Sequence, residues 1–158
     1  MNNEMKLKEM IAQELVLRKS KSTPPFKHTV GWPLYDENEL WAALDSLLDL
    51  SLSQGPRVRA FEKAYREYLD LPTGSGSIAV NSGSSANLVC FAALIDAGRL
   101  TVGDEVIVPA LTYVATANAV IHAGGVPVFV DIHPDYWGLD PEEVKRKITP
   151  RTKAVIAV

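Results

Sequence analysis

The residues best suited to chemistry lie between Ile78 and Leu88, reading Ile-Ala-Val-Asn-Ser-Gly-Ser-Ser-Ala-Asn-Leu. A short β-branched run breaks at Gly83 and reopens in helix-forming residues, so the expected order is strand, tight turn, helix. Gly83 lets the backbone turn and approach a ligand closely. Ser84 and Ser85 fall where the first N–H groups of a helix lack intrahelical acceptors and face outward with the positive end of its dipole. A phosphate suits such a turn. An ordinary strand-to-helix turn with serine as the N-cap suits it equally, and the local sequence leaves both readings open.

A second stretch, Ala110 to Tyr113, places an aromatic ring at the opening of the next expected helix. In an open α/β sheet, ligands bind beyond the carboxyl ends of the strands, where these two turns and the Asp131 to Tyr136 connection converge. A phosphate donor beside an aromatic plate suits a flat phosphorylated ring. Tyr113 as a half-buried core aromatic is the alternative. Other residues offer less. Gly74-Ser75-Gly76 resembles part of a dinucleotide fingerprint but precedes its strand, so it reads as a loop. His28, His122 and His133 show no metal spacing, and His122 near a helix end reads as structural, so no metal site is expected. Asp131, at a strand end, is either a candidate catalytic carboxylate or the cap of the following turn.

The elements that must position these residues follow from periodicity. Leu7, Ile11 and Leu15 recur every fourth position from Lys6 to about Lys19, an amphipathic helix suited to packing on a partner. Ser20 to Pro25 reads as a linker, since Pro24 and Pro25 favour extended geometry. The division expected is therefore an accessory helix and linker over 1–25 and a main domain over 26–158. Asp36 with Glu39 has capping-box spacing before the Leu40, Leu44, Leu47 and Leu48 stripe, and Val58, Phe61, Tyr65 and Tyr68 mark a further helix ending before Pro72. Beyond Ser77 short strands alternate with helices, the α/β signature. Strands are expected at Ile78 to Asn81, Glu105 to Pro109, Val126 to Asp131 and Lys153 to Val158. Helices are expected at Ser84 to Ala97, with Leu88, Phe91, Ala92 and Ile95 inward, at Thr112 to Ala123, closed by Gly124 and Gly125, and after Asp140-Pro141. Helical crossovers imply a largely parallel sheet. The last strand has nothing after it to cover its far face, which points to the front part of a longer protein.

Composition narrows the class. The 158 residues are 47% hydrophobic and 22% charged with a net charge of −3, which fits a globular chain with a real core and no basic face for nucleic acid or membrane. No stretch approaches the roughly 18 apolar residues of a membrane span. Cys90 is the one cysteine. It is expected as a buried thiol in a helix, which fits a cytoplasmic location.

Four ordered blocks then carry a resemblance covering about residues 30 to 158. Leu52-Ser53-Gln54-Gly55-Pro56-Arg57-Val58-Arg59-Ala60-Phe61-Glu62 is the first, and Asn81 to Leu88 the second. Gly103 to Pro109 followed by Thr112-Tyr113-Val114-Ala115-Thr116-Ala117-Asn118 is the third, and Gly125-Val126-Pro127-Val128-Phe129-Val130-Asp131 the fourth. Together they resemble the front part of the DegT/DnrJ/EryC1/StrS family of pyridoxal-phosphate-dependent sugar aminotransferases. Ser84 and Asn87 depart from the family's usual Thr and Ala.

The resemblance implies a partial three-layer α/β/α large domain of fold type I. It implies pyridoxal 5'-phosphate as cofactor, with Gly83, Ser84 and Ser85 at its phosphate and Tyr113 over its ring. It also implies a nucleotide-linked keto-sugar as substrate, an amino acid as amino donor, and a homodimer. The resemblance implies that the family's Schiff-base lysine and its aspartate for the pyridine nitrogen lie beyond Val158; Lys145, Lys147 and Lys153 sit in no matching motif, so no catalytic residue is assigned and these 158 residues alone are expected to be inactive. The 3-dehydratase branch, which carries histidine in place of that lysine, resembles this chain in its Asn-Ser-Gly-Ser-Ser-Ala-Asn-Leu wording and added N-terminal helix. The Thr112 to Thr116 wording leans toward aminotransferases. A non-catalytic module with a degenerate cofactor site is a third reading of another class. Sugar, nucleotide, donor and regiochemistry are left open.

Overall fold

A computed structural model of the protein describes residues 3–21 and 34–158, which fall into two compact units, Met1–Ser77 and Ile78–Val158. Most of the expected linker, and His28, lie outside the described residues.

The first unit is helical: α1 (Asn3–Lys21), α2 (Glu37–Leu48) and α3 (Pro56–Tyr68). The four-residue stripe of α1 does pack, because Leu7, Ile11 and Leu15 share an apolar cleft with Leu40 of α2. Asp36 and Glu39 start α2 as their spacing predicts. The Asp36 carboxylate accepts from the Asn38 amide at 2.8 Å, and the Glu39 carboxylate accepts from the Asp36 amide at 2.8 Å. The Asn38 amide holds the Asp36 carboxyl below its ordinary range. Pro56 opens α3 at its first position, two residues earlier than Val58 suggests, since its fixed φ and missing donor are harmless there. Arg57 pairs with Asp45 of α2.

The second unit carries α4 (Gly83–Asp96), β1 (Glu105–Pro109), α5 (Ala115–His122), β2 (Val126–Val130), α6 (Pro141–Lys147) and β3 (Thr152–Val155). The three strands form a parallel sheet in the order β2-β1-β3, with α5 and α6 as the crossovers. The strand in the middle has both faces covered, and all five residues of β1 are buried. Val106, Val108, Val120 and Leu100 form the core with Phe91 of α4, and Ile95, Ala154 and Ile156 pack on its margin. Gly124 closes α5 at φ +81°, the left-handed geometry its position predicts. At Gly125 an added Cβ would lie 3.0 Å from Val120 Cγ1 and 3.3 Å from the Val120 carbonyl oxygen, so the chain needs glycine there to turn into β2.

Glu105 anchors the amino end of β1. Its buried carboxylate accepts from the Thr149 hydroxyl at 2.6 Å and pairs with the Arg151 guanidinium, while its amide donates to the Arg151 carbonyl at 2.9 Å. The Thr149 hydroxyl, then Arg151, hold this carboxyl below its ordinary range against the opposing effect of burial.

Several expectations are corrected. Ile78 to Asn81 forms no paired strand, because no other described strand runs beside it; Ile78 is 78% exposed. The helix expected from Thr112 begins at Ala115, since Thr112 to Val114 form the turn leading into it. On α4, Phe91 and Ile95 face inward as expected, but Leu88 is 40% exposed and Ala92 is exposed. Cys90 is exposed as well. The reason is shared: α4 packs on α5 along one side, and an evenly apolar helix gives its sequence no means of saying which side that is.

Candidate functional site

The start of α4 is built by Ser82. Its extended backbone ends the Ile78 to Asn81 segment, its carbonyl accepts from Ala86 at 3.0 Å, and its Oγ accepts from the Ser85 amide at 3.1 Å. Of the first amides of α4, those of Gly83 and Ser84 have no acceptor among the described residues. The expectation of two free serine amides is corrected accordingly: Ser85's amide is capped, and Ser85 offers its hydroxyl, which lies 3.1 Å from Ser82 Oγ.

Gly83 has ordinary negative φ, so the turn itself does not require glycine. An added Cβ there would meet no atom within 4 Å. Neither strain nor crowding within the protein therefore explains this glycine.

The second wall comes from the turn between β1 and α5. The Ala110 amide donates to the Val130 carbonyl at 2.8 Å, which ties this turn to the carboxyl end of β2. The hydroxyls of Thr112 and buried Thr116 lie 3.0 Å apart, and the Tyr113 carbonyl accepts from Thr116 at 2.9 Å. These bonds fix the backbone of Tyr113 while its ring stays 73% exposed, so the core-aromatic reading of Tyr113 is set aside.

Ser84, Ser85, Leu88, Tyr113, Asn118 and His122 line one cleft of about 320 Å³ between α4 and α5. That volume falls at the lower end of small-molecule sites. Among the described residues no Lys, Arg, Asp or Glu lines it, so its positive potential comes from backbone amides and the helix dipole. A phosphate on the Gly83 and Ser84 amides with a flat ring toward Tyr113 fits these residues. Among the described residues no hydrogen bond joins Ser84 or Ser85 to His122, so the cleft presents no formed nucleophile–base pair. Asn118, which from sequence is only the last residue of the third block, and His122, which reads there as structural, both line the cleft; their i, i+4 spacing on α5 is the signal that puts them on one face.

Asp131 behaves as a turn cap, its Oδ1 accepting from the Ile132 amide at 2.8 Å. His133 stacks on Tyr136 with centroids 4.3 Å apart. Among the described residues no group of three His, Cys, Asp or Glu side chains could hold a metal, and no helix is long and apolar enough to cross a membrane.

Comparison with known proteins bears on family and fold. The model of the DegT/DnrJ/EryC1/StrS aminotransferase family matches residues 34–158. The chain is 39% identical over 126 residues to the spore coat polysaccharide biosynthesis protein SpsC of Bacillus subtilis, covering 80% of this chain and 31% of that protein. It is 39% identical over 131 residues to the GDP-perosamine synthase of Caulobacter vibrioides, covering 82% and 33%. Among solved structures, a GDP-4-keto-6-deoxymannose-3-dehydratase with a trapped PLP-glutamate geminal diamine superposes with a TM-score of 0.72 at 30% identity, covering 83% of this chain and 34% of that one. The chain thus spans about a third of the length of the relatives it matches.

Proposed function

The chain belongs to the DegT/DnrJ/EryC1/StrS aminotransferase family, and on that premise we propose that it forms the cofactor-binding front of a pyridoxal-phosphate-dependent aminotransferase acting on a nucleotide-linked keto-sugar. One observation carries the reading: Ser84, whose amide has no acceptor among the described residues, and the exposed ring of Tyr113 line a single cleft between α4 and α5, with the free Gly83 amide next to Ser84 in the chain. Gly83, Ser84 and the Ser85 hydroxyl hold the phosphate, and Tyr113 orients the pyridine ring by stacking. Pyridoxal phosphate, when bound, supplies the electron sink that lets an amino group pass between carbon skeletons. What these residues would contribute is position: the start of α4 would hold the phosphate end and Tyr113 the ring. The sugar nucleotide and an amino-acid donor are the partners on this reading, and a second copy of the chain completes a homodimer. The lone free thiol of Cys90 suits a reducing cytoplasm. The helix and linker over 1–25 form an accessory segment to the domain over 26–158.

The similarity to a solved 3-dehydratase supports a second reading, removal of the sugar 3-hydroxyl with the same cofactor. One experiment separates the two. The whole protein, at the length of its relatives, is incubated with pyridoxal phosphate, glutamate and a nucleotide-linked 4-keto-6-deoxysugar, and the products are identified by mass. An amino sugar with 2-oxoglutarate supports the aminotransferase; a 3-deoxy sugar supports the dehydratase. No pyridoxal phosphate binding and no product would leave the non-catalytic module as the better account.

A further inference from the structure

The connection from β2 to α6, residues 131–140, is more highly organised than a crossover needs. Ile132 and Leu139 form an antiparallel bridge, the His133 amide donates to the Gly138 carbonyl at 2.8 Å, and the Trp137 amide donates to the His133 carbonyl at 2.9 Å. The His133 ring lies parallel to the Tyr136 ring within 7°. Against this rigid base Trp137 is held at φ +63°, a left-handed geometry unfavourable for a bulky side chain, with its indole 70% exposed. A large apolar ring kept in a strained backbone and turned to solvent does nothing for the core, and such outliers concentrate where a ligand is gripped. The place is the carboxyl edge of the sheet, one strand from the Tyr113 turn, because Ala110 bonds directly to Val130.

We infer that Trp137 is a specificity-determining residue that stacks on the nucleobase of the sugar nucleotide. This rests on the nucleotide-sugar reading above. Charge selects the base end of the ligand over its phosphates. The exposed carboxylates of Asp131 and Asp135 flank the loop, repel a diphosphate, and accept from base N–H groups. Indole stacking is sequence-tolerant, so the carboxylates supply the preference for a base carrying ring N–H donors, such as guanine, uracil or thymine.

The test uses GDP, UDP, dTDP and, as a probe without a base, ribose 5-phosphate. Tryptophan fluorescence and calorimetry follow binding in the wild type, Trp137→Phe and Trp137→Ala, and pyridoxal phosphate binding is measured separately by its own absorbance. The expected result is quenching of wild-type fluorescence by at least one nucleotide and not by ribose 5-phosphate. Trp137→Phe should keep that nucleotide's affinity within about threefold while losing the quench, since Trp32 and Trp41 remain as emitters. Trp137→Ala should bind it about tenfold more weakly. Pyridoxal phosphate affinity should stay within twofold in both variants. No nucleotide binding to the wild type, an unchanged quench in Trp137→Phe, or wild-type affinity in Trp137→Ala overturns the inference. Failure of the wild type to bind pyridoxal phosphate, with nucleotide binding as described, overturns instead the cofactor reading and leaves the stacking role standing.

Discussion

Replacing Gly83 by alanine should move stability and ligand affinity in opposite directions. The residue sits at the first position of α4 with ordinary φ, and an added Cβ would have no atom within 4 Å, so the folded state accepts the methyl without strain. The unfolded chain loses freedom, which stabilises the folded form by about 0.4–1 kcal/mol. A phosphate accepting from the Gly83 amide meets the same methyl beside its path. Loss of one hydrogen bond to a charged group costs roughly 1.5–3 kcal/mol, or about 10- to 150-fold in affinity. Urea denaturation reads the first quantity, and pyridoxal phosphate titration followed by absorbance reads the second. A Gly83→Ala variant that is less stable would mean that the turn needs glycine for its own sake. One that binds pyridoxal phosphate as well as the wild type would show that nothing approaches this backbone closely, and the reasoning would fail.

The other predictions follow from the same physical terms. Gly125→Ala is the reverse case: its Cβ would press on Val120 and its carbonyl, so chemical denaturation should show a loss of about 1–3 kcal/mol. Tyr113→Ala, at a ring 73% exposed, should leave stability nearly unchanged and weaken pyridoxal phosphate binding by on the order of 1 kcal/mol in a titration. Leu100→Ala removes a side chain 2% exposed from the core and should cost about 2–5 kcal/mol by urea denaturation. Glu105 is held below the ordinary carboxylate range, so its contribution is fully present above that range and is lost as pH falls through the lower folded value. Stability measured from pH 6 to pH 3 should therefore drop less steeply in Glu105→Gln than in the wild type, and equal slopes would contradict the role given to Thr149 and Arg151.

What the sequence made legible is the punctuation. Asp36 with Glu39, Asp140 with Pro141, and Gly124 each act through local geometry that does not depend on the rest of the chain, and each lies where its chemistry predicts. The association of Ser84, Ser85 and Tyr113 was legible too, because two strand-to-helix turns at one sheet edge must converge. What was not legible depends on neighbours. Ile78 to Asn81 has the composition of a strand, but pairing is a property of two segments, and composition reports one. Cys90 and Leu88 lie on an apolar helix whose buried side is chosen by α5. The capped Ser85 amide is the serine N-cap reading that the sequence left open, with Ser82 as the cap. Asn118 and His122 reach the cleft through the register of α5, which starts three residues later than the Thr112 onset suggests.

The central claim is that the start of α4 and the start of α5 hold the two ends of one cofactor. A crystal structure of the protein grown with pyridoxal phosphate tests it most directly. The account predicts phosphate oxygens about 2.7–3.2 Å from the Gly83 and Ser84 amide nitrogens, with the pyridine ring stacked on Tyr113. Pyridoxal phosphate bound elsewhere, with Ser82 still capping α4 and both amides facing solvent, would contradict it.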